Sequence, residues 1–274
     1  MTRIAVYSDL HLEFGEFPRP NVHADVVVLA GDIHTKHRAW QEGRADEFFG
    51  CPVVGICGNH EFYSGKIDTA VAKTRVAAEA KGILLLECEG AVVSGVRLLG
   101  CVLWSDFKLF AGGDLQRLKD DANICVGDRY GGGLNDFRCI RVAADGYRRF
   151  RPLDAARLHA ASVAWLDERL SEPFGGPTVV VTHHAPSMRC LPEKWLSDRR
   201  ACAYASHLDW LIEKHQPAAW FSGHVHQSMP MFKIGRTLMV SNPRGYFPSD
   251  LNPNFRPDLV IDVPDGEVPV PACT

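Results

Sequence analysis

The sequence predicts a layered α/β fold, and three observations carry that prediction. Strand-length apolar runs such as Val26-Val27-Val28-Leu29-Ala30 are continuous rather than alternating, which suits strands covered on both faces. Residues 66–81 lie between two such runs and place apolar side chains at helical spacing, so strands and helices alternate as β-α-β-α. The third observation is chemical: the runs stop on residues that can bind a metal. Val6-Tyr7-Ser8 stops on Asp9-Leu10-His11, the 26–30 run on Gly31-Asp32, and Val53-Val54-Gly55-Ile56-Cys57 on Gly58-Asn59-His60-Glu61. Further along, Val179-Val180-Val181 stops on Thr182-His183-His184, and Ala219-Trp220-Phe221 on Ser222-Gly223-His224-Val225-His226. Ligands of open α/β sheets sit beyond the carboxyl ends of the strands, so these ends are predicted to converge there.

Taken in order, residues 3–8 read as the first strand, followed by a loop holding Phe17-Pro18-Arg19-Pro20. Residues 25–30 are the second strand, 33–49 are predicted helical in part, and Pro52 opens the third strand. The helix at 66–81 sets Ile67, Val71, Thr74 and Ala78 on one face and stops at Gly82. Residues 84–86, 91–93 and 96–104 are strands on short connections, with Ser94-Gly95 as a hairpin turn. Together they predict a second, partly antiparallel sheet. Across 105–151 regularity fails. Ala111-Gly112-Gly113 and Gly131-Gly132-Gly133 mark loops, and the segment reads as an inserted cap or lid. Asp154 is expected to cap a helix running to Leu170. A strand at 178–182 follows, then a helix at 199–215 with Tyr204, Leu208, Leu211 and Ile212 on one face, ended by Pro217. Strands at 218–221 and 258–263, with a hairpin around Gly235-Arg236 between them, complete a single unit over 1–274.

Composition bounds the function. Hydrophobic residues make up 46% and charged residues 23% of 274 residues, as in an ordinary soluble protein with a substantial core. A net charge of -3 argues against a general nucleic-acid or membrane-surface binder. No apolar run approaches the roughly 20 residues of a spanning helix, and no signal-peptide pattern precedes the first strand. The nine cysteines show no paired spacing, and Cys57, Cys101 and Cys139 sit in apolar runs. These features predict a reducing, cytoplasmic setting without structural disulfides or a cysteine-based zinc site.

The strand ends define the expected chemistry. Alternate residues of a strand share a face, so Asp9-x-His11 can offer a carboxylate and an imidazole to one ion, and His224-x-His226 can serve one ion or two neighbours. Asp32 can bridge two metals, and Asn59 is a neutral oxygen ligand. One ion is assigned to Asp9, His11, Asp32 and His226, the other to Asp32, Asn59, His183 and His224, with His184 as the alternative to His183. Nitrogen and oxygen donors without thiolate suit two divalent ions of manganese, iron, zinc or cobalt. His60 follows a ligand directly and is expected to lie beside the bound substrate, where it can donate a proton or stabilise developing charge. Glu61 is expected to be structural.

These blocks, Asp9-x-His11, Gly31-Asp32, Gly58-Asn59-His60-Glu61, His183-His184 and Gly223-His224-x-His226, resemble those of the calcineurin-like metallophosphoesterases in order and rough spacing, from residue 4 to about 246. The resemblance implies a four-layer α/β/β/α sandwich, with two mixed β-sheets flanked by helices. It also implies a dinuclear centre, with a metal-bridging hydroxide that hydrolyses phosphodiesters or phosphomonoesters. The 105–151 segment has no counterpart in the shared motifs, so substrate choice does not carry over.

Arg138 stands among several arginines between 138 and 157 and is the candidate for reaching a substrate phosphate, beside Asn59 and His60. Asn242-Pro243-Arg244-Gly245-Tyr246 is a candidate for the pocket rim, and His34 for an approach to the site. The expected substrate is a small or moderate-size phosphate ester. The rivals are a nuclease of the same family, which the mild net charge disfavours, and a non-catalytic scaffold, which would not need His60 and the full set of donor types.

Overall fold

The computed structural model describes residues 1–128 and 131–264. Residues 129–130 of the expected cap and 265–274 of the expected unit lie outside the described residues. The chain opens with β1 (Thr2–Tyr7) and β2 (Val26–Ala30), then α1 (Ala45–Phe49), β3 (Val53–Ile56) and α2 (Ile67–Ala80). Of the partly helical stretch expected at 33–49, only α1 is helix. Helix α2 buries Ala70, Thr74 and Ala78, close to the face the spacing predicted.

Next come β4 (Ile83–Leu86), β5 (Glu89–Val93) and β6 (Val96–Cys101). Two expectations are corrected here. Strand β4 pairs in parallel with β3 and so closes the first sheet; only β5 and β6 form the antiparallel hairpin of the second. Strand β6 also stops at Cys101, short of Trp104, because Leu103 and Trp104 turn into the left-handed region at φ 73 and 56.

Regularity does not fail throughout 105–151. The segment holds α3 (Leu115–Val126), α4 (Asp136–Cys139), β7 (Arg141–Val142) and β8 (Arg148–Arg149). Asp114 caps α3 by accepting from the backbone N–H groups of Gln116 and Arg117. Helix α5 (Pro152–Ser171) starts at Pro152, so Asp154 is its third residue rather than its cap; its carboxylate reaches back to accept the Arg151 N–H at 2.9 Å.

After β9 (Thr178–Thr182), the helix expected at 199–215 is broken. A 3₁₀ turn spans Arg199–Ala203, and only α6 (Asp209–His215) is α-helical. The cause is a strand-like exchange: Ala185 N–H donates to Tyr204 O at 3.0 Å and Ser206 N–H to Ala185 O at 3.1 Å, which takes those groups away from any helix. The chain ends through β10 (Ala219–Ser222), β11 (Phe232–Ile234), β12 (Thr237–Ser241), β13 (Gly245–Tyr246), β14 (Asp250–Leu251) and β15 (Val260–Val263).

Two mixed sheets result, with orders β15-β1-β2-β3-β4 and β11-β12-β10-β9-β6-β5. Ile4, Val6, Val26, Val28 and Val54 of the first share one buried cluster with Leu98, Val179, Val181 and Phe221 of the second, so the sheets pack face to face. Alternate residues such as Tyr7, Leu29 and Val180 belong to the other core cluster, together with Ala70 and Ala78 of α2 and Leu166 of α5. The molecule is therefore an α/β/β/α sandwich. Strands β1 to β3 of one sheet and β9 and β10 of the other run parallel within their sheets.

Candidate metal centre

The turns after β1, β2, β3, β9 and β10 carry every candidate ligand. Several of those turns hold the backbone in an unfavourable region. Asp9, His11, Asp32 and His224 take φ values of 51, 45, 53 and 66. Left-handed conformations of non-glycine residues cost on the order of 1–3 kcal/mol each and persist only where surrounding structure enforces them. Cross-bonding supplies the enforcement: Asp9 N–H donates to Gly31 O, His11 N–H to Asp32 O and Gly223 N–H to His183 O, at 3.0, 3.1 and 3.0 Å. Glu61 fastens two of the turns together. Its buried carboxylate accepts from the backbone N–H groups of Asp32, Ile33 and Gly58 at 3.1, 2.7 and 2.6 Å. Glycine is required where these turns meet. A Cβ on Gly58 would lie 2.1 Å from Asp32 Oδ1, and one on Gly223 would lie 2.7 Å from Asp9 Oδ2.

Two donor groups face each other across Asp32. Asp9, His11 and His226 form the first, with His11 Nε2 and His226 Nε2 3.1 Å apart and His226 Nε2 3.3 Å from Asp9 Oδ1. Asp32, His183 and His224 form the second, with His183 Nε2 3.0 Å from Asn59 Oδ1. Asp32 addresses both: Oδ2 lies 3.8 Å from His11 Nε2 and Oδ1 lies 3.4 Å from His183 Nε2.

These residues fit divalent cations. Asp9 and Asp32 are 0% and 1% exposed, and among the described residues no lysine or arginine pairs with either. Buried carboxylates without a full counter-charge are costly. His224 Nε2 is buried without a hydrogen-bond partner, although it belongs to a donor group. Burial alone would push the His183 imidazole down, but the carboxylates of Asp32 and Asp9 outweigh it and raise the pKa to about 10. The site thus calls for positive charge, and its donor set is oxygen and imidazole nitrogen throughout.

His184 belongs to neither donor group, although its ring lies 4.2 Å from that of His224. Its Nδ1 lies 3.3 Å from Val102 O, its ring packs on Trp104, and burial pushes its pKa down to about 3. His34 bonds Thr35 O at 3.1 Å and belongs to neither group. His60 lies beside the centre, with Nδ1 3.1 Å from Glu13 Oε1 and Nε2 3.2 Å from the Tyr246 hydroxyl. Burial lowers its pKa, but Asp32 and then Glu13 outweigh burial and raise it to about 9.

A cleft of about 280 Å³ opens over the centre, lined by Asp32, Asn59, His60, His224, His226 and Tyr246 among others. Residues 135 and 136 of the expected cap also line it, whereas Arg138 does not. Arg138 lies two positions past Asp136 on α4 and is half-buried. Tyr246 reaches the cleft from the 242–246 stretch. Arg244 is instead buried beneath it, donating to the carbonyls of Leu10, Gly15 and Glu16.

Glu13, Tyr63, Trp195 and Tyr204 escaped the sequence reading as site residues, whereas Asn135 and Asp136 were expected, with Arg138, to contact a phosphate or leaving group from the cap. Glu13 had a usable signal, since it continues the alternate spacing of Asp9 and His11. Its Oε1 lies 3.4 Å from His11 Nδ1.

Comparison with known proteins bears on the same residues. No curated protein sequence matches this chain. The solved structure of phosphopantetheinyl hydrolase from Mycobacterium tuberculosis is similar at a TM-score of 0.59 and 15% sequence identity, covering 89% of this chain and 89% of that one. TT1561 of Thermus thermophilus aligns at a TM-score of 0.42 and 12% identity, covering 89% of each chain. The first of these likenesses is one of fold. The sequence model of the calcineurin-like phosphoesterase family matches residues 2–228. Because that match runs through every strand end from Asp9 to His226, this chain belongs to the calcineurin-like phosphoesterase family and is a metal-dependent phosphoesterase.

Proposed function

We propose that the protein is a dinuclear hydrolase of small or moderate-size phosphate esters, monoesters or diesters. The observation that carries this reading is the divided Asp32 carboxylate, one oxygen toward His11 and the other toward His183. Asp9, His11, Asp32 and His226 would hold one ion, and Asp32, Asn59, His183 and His224 the other. Two such ions, of manganese, iron, zinc or cobalt, supply Lewis acidity toward phosphoryl oxygens and acidify a water to serve as nucleophile. The protein's own part is positioning and proton control. Glu13 holds the His60 ring by Nδ1, leaving Nε2 toward the cleft, where it can donate to a phosphoryl or leaving oxygen. The 105–151 segment serves as a cap through residues 135 and 136, within one unit over 1–274. A cleft of about 280 Å³ suits an ester of modest size better than a duplex. Free thiols among all the described cysteines fit a reducing, cytoplasmic compartment.

The test is reconstitution. Metal-depleted protein loaded with each of the four metals should bind two equivalents and hydrolyse the phosphomonoester or the phosphodiester of 4-nitrophenol. Asp32→Asn should lower the occupancy of both ions. Two ions bound at wild-type affinity in that variant would refute the bridge, and no turnover with any metal would refute the hydrolase.

A further inference from the structure

A second cleft, of about 310 Å³, adjoins the first and shares Leu134, Trp195 and Tyr204 with it. Beyond those three residues it is lined by Lys194, Asp198, Arg200 and Ala201. The aromatic step between the clefts begins at the metal centre. The Tyr204 ring stacks on His224 at 4.5 Å and 25°, and Trp195 meets Tyr204 edge-on at 4.9 Å. Charge lies on the far side of the step. Asp198 accepts from the Arg200 guanidinium, Nε at 3.1 and 3.0 Å from its two oxygens and Nη2 at 2.6 Å. Lys194 has no carboxylate partner among the described residues. The second cleft therefore has an apolar, partly aromatic entrance and a net positive end, continuous with the donor groups.

From this continuity we infer that the second cleft is a substrate subsite for an ester group that passes the Trp195–Tyr204 step with an apolar portion and ends in its own negative charge at Lys194. The inference rests on the phosphoesterase reading above and narrows its substrate class to elongated esters with a terminal carboxylate or phosphate. Aromatic rings supply contact area that tolerates many apolar groups. An exposed ammonium contributes a modest, salt-screened preference for the anionic end. Trp195 thus provides affinity, and Lys194 provides selection.

The experiment uses manganese-loaded protein and two dialkyl phosphinates, anionic stand-ins for a phosphodiester in which carbon replaces both bridging oxygens and leaves no P–O ester bond to cleave. They are alike except that the longer alkyl arm ends in a carboxylate in one and the matching amide in the other. Calorimetry should show the carboxylate compound binding more tightly by roughly two- to fivefold at low salt, the range of an exposed ion pair. Lys194→Glu should reverse that preference, and Trp195→Ala should weaken both compounds by about tenfold or more, the scale of one lost buried apolar contact. Equal wild-type affinities for the two compounds, or a preference untouched by Lys194→Glu, would overturn the subsite. So would failure of both to bind protein that still hydrolyses 4-nitrophenyl phosphate. Absence of turnover on any ester is distinguishable, since it removes the phosphoesterase reading and the subsite with it.

Discussion

Asp136 Oδ1 accepts a hydrogen bond from Asn59 Nδ2 at 2.8 Å, across 77 residues of chain. The Tyr63 hydroxyl donates to the same oxygen at 2.7 Å. With its nitrogen engaged there, the Asn59 carboxamide turns its oxygen to the centre, 3.0 Å from His183 Nε2. Outer groups that orient a metal ligand typically matter 10–100-fold in affinity. Asp136→Ala is therefore expected to weaken metal binding by roughly 10-fold or more, measured by competition with a chromogenic chelator. An unchanged affinity would show that Asn59 is oriented without help from the 105–151 segment.

Why the bond from Asp136 to Asn59 escaped the sequence, when the place of Asp32 did not, is a matter of distance. Asp9, Asp32, Asn59, His183 and His224 each follow a buried strand directly, so the apolar run and the ligand share one short window. Asp136 meets Asn59 only through the tertiary fold, from a helix of four residues with no periodicity to read. Helix α3 was legible in principle, since Leu118, Ala122 and Cys125 fall at helical spacing behind the Asp114 cap. The flanking glycines outweighed that pattern. At 199–215 the opposite error arose: the periodicity of Tyr204, Leu208 and Ile212 was real, but the pairing of Ala185 with residues 204 and 206 overrode it. The left-handed backbones of Asp9, His11 and Asp32 leave only a weak signature in residue type, because aspartate and histidine are enriched at positive φ but do not call for it as a glycine does.

Gly58 is expected to be intolerant of any side chain. An added Cβ would stand 2.1 Å from Asp32 Oδ1 and 2.7 Å from His183 Cε1, between two candidate ligands. Forced overpacking of this kind costs typically ~1–3 kcal/mol. Gly58→Ala should lower the thermal midpoint and, in the fraction that folds, reduce bound metal. Wild-type metal content at an unchanged midpoint would mean that the β2 and β3 turns can part without harm.

His60 and Glu13 separate chemistry from metal binding. His60→Gln should lower turnover by roughly 10²–10⁴-fold, the usual range for a general acid, while the metal content holds. Glu13→Gln keeps a hydrogen-bonding group of similar size but removes the charge beside the imidazole. It should produce a smaller loss of turnover together with a lower apparent pKa on the acidic-form limb of the pH–rate profile. The sign follows from the local field, because Glu13 favours the charged imidazolium, which persists to higher pH when Glu13 is present. Leaving groups give the sharper comparison. If His60 protonates the departing oxygen, alkyl esters should suffer far more than nitrophenyl esters. An equal loss across both classes would leave His60 with charge stabilisation alone.

The cap can be tested by comparing two of its residues. Asn135 lines the cleft, whereas Arg138, on the same helical turn, does not. The sequence favoured Arg138 as the phosphate contact because an arginine fork suits a phosphate. Position argues for Asn135, whose carboxamide can donate to an ester oxygen without leaving a buried charge behind. Asn135→Ala should raise KM several-fold for an elongated ester and leave the metal content intact, since none of the candidate ligands lies in 105–151. Arg138→Ala should change KM less than twofold on the same substrate. Paired steady-state kinetics on metal-checked protein decide the matter. A larger effect at Arg138 than at Asn135 would mean that the cap moves in the working enzyme and brings the arginine over the cleft.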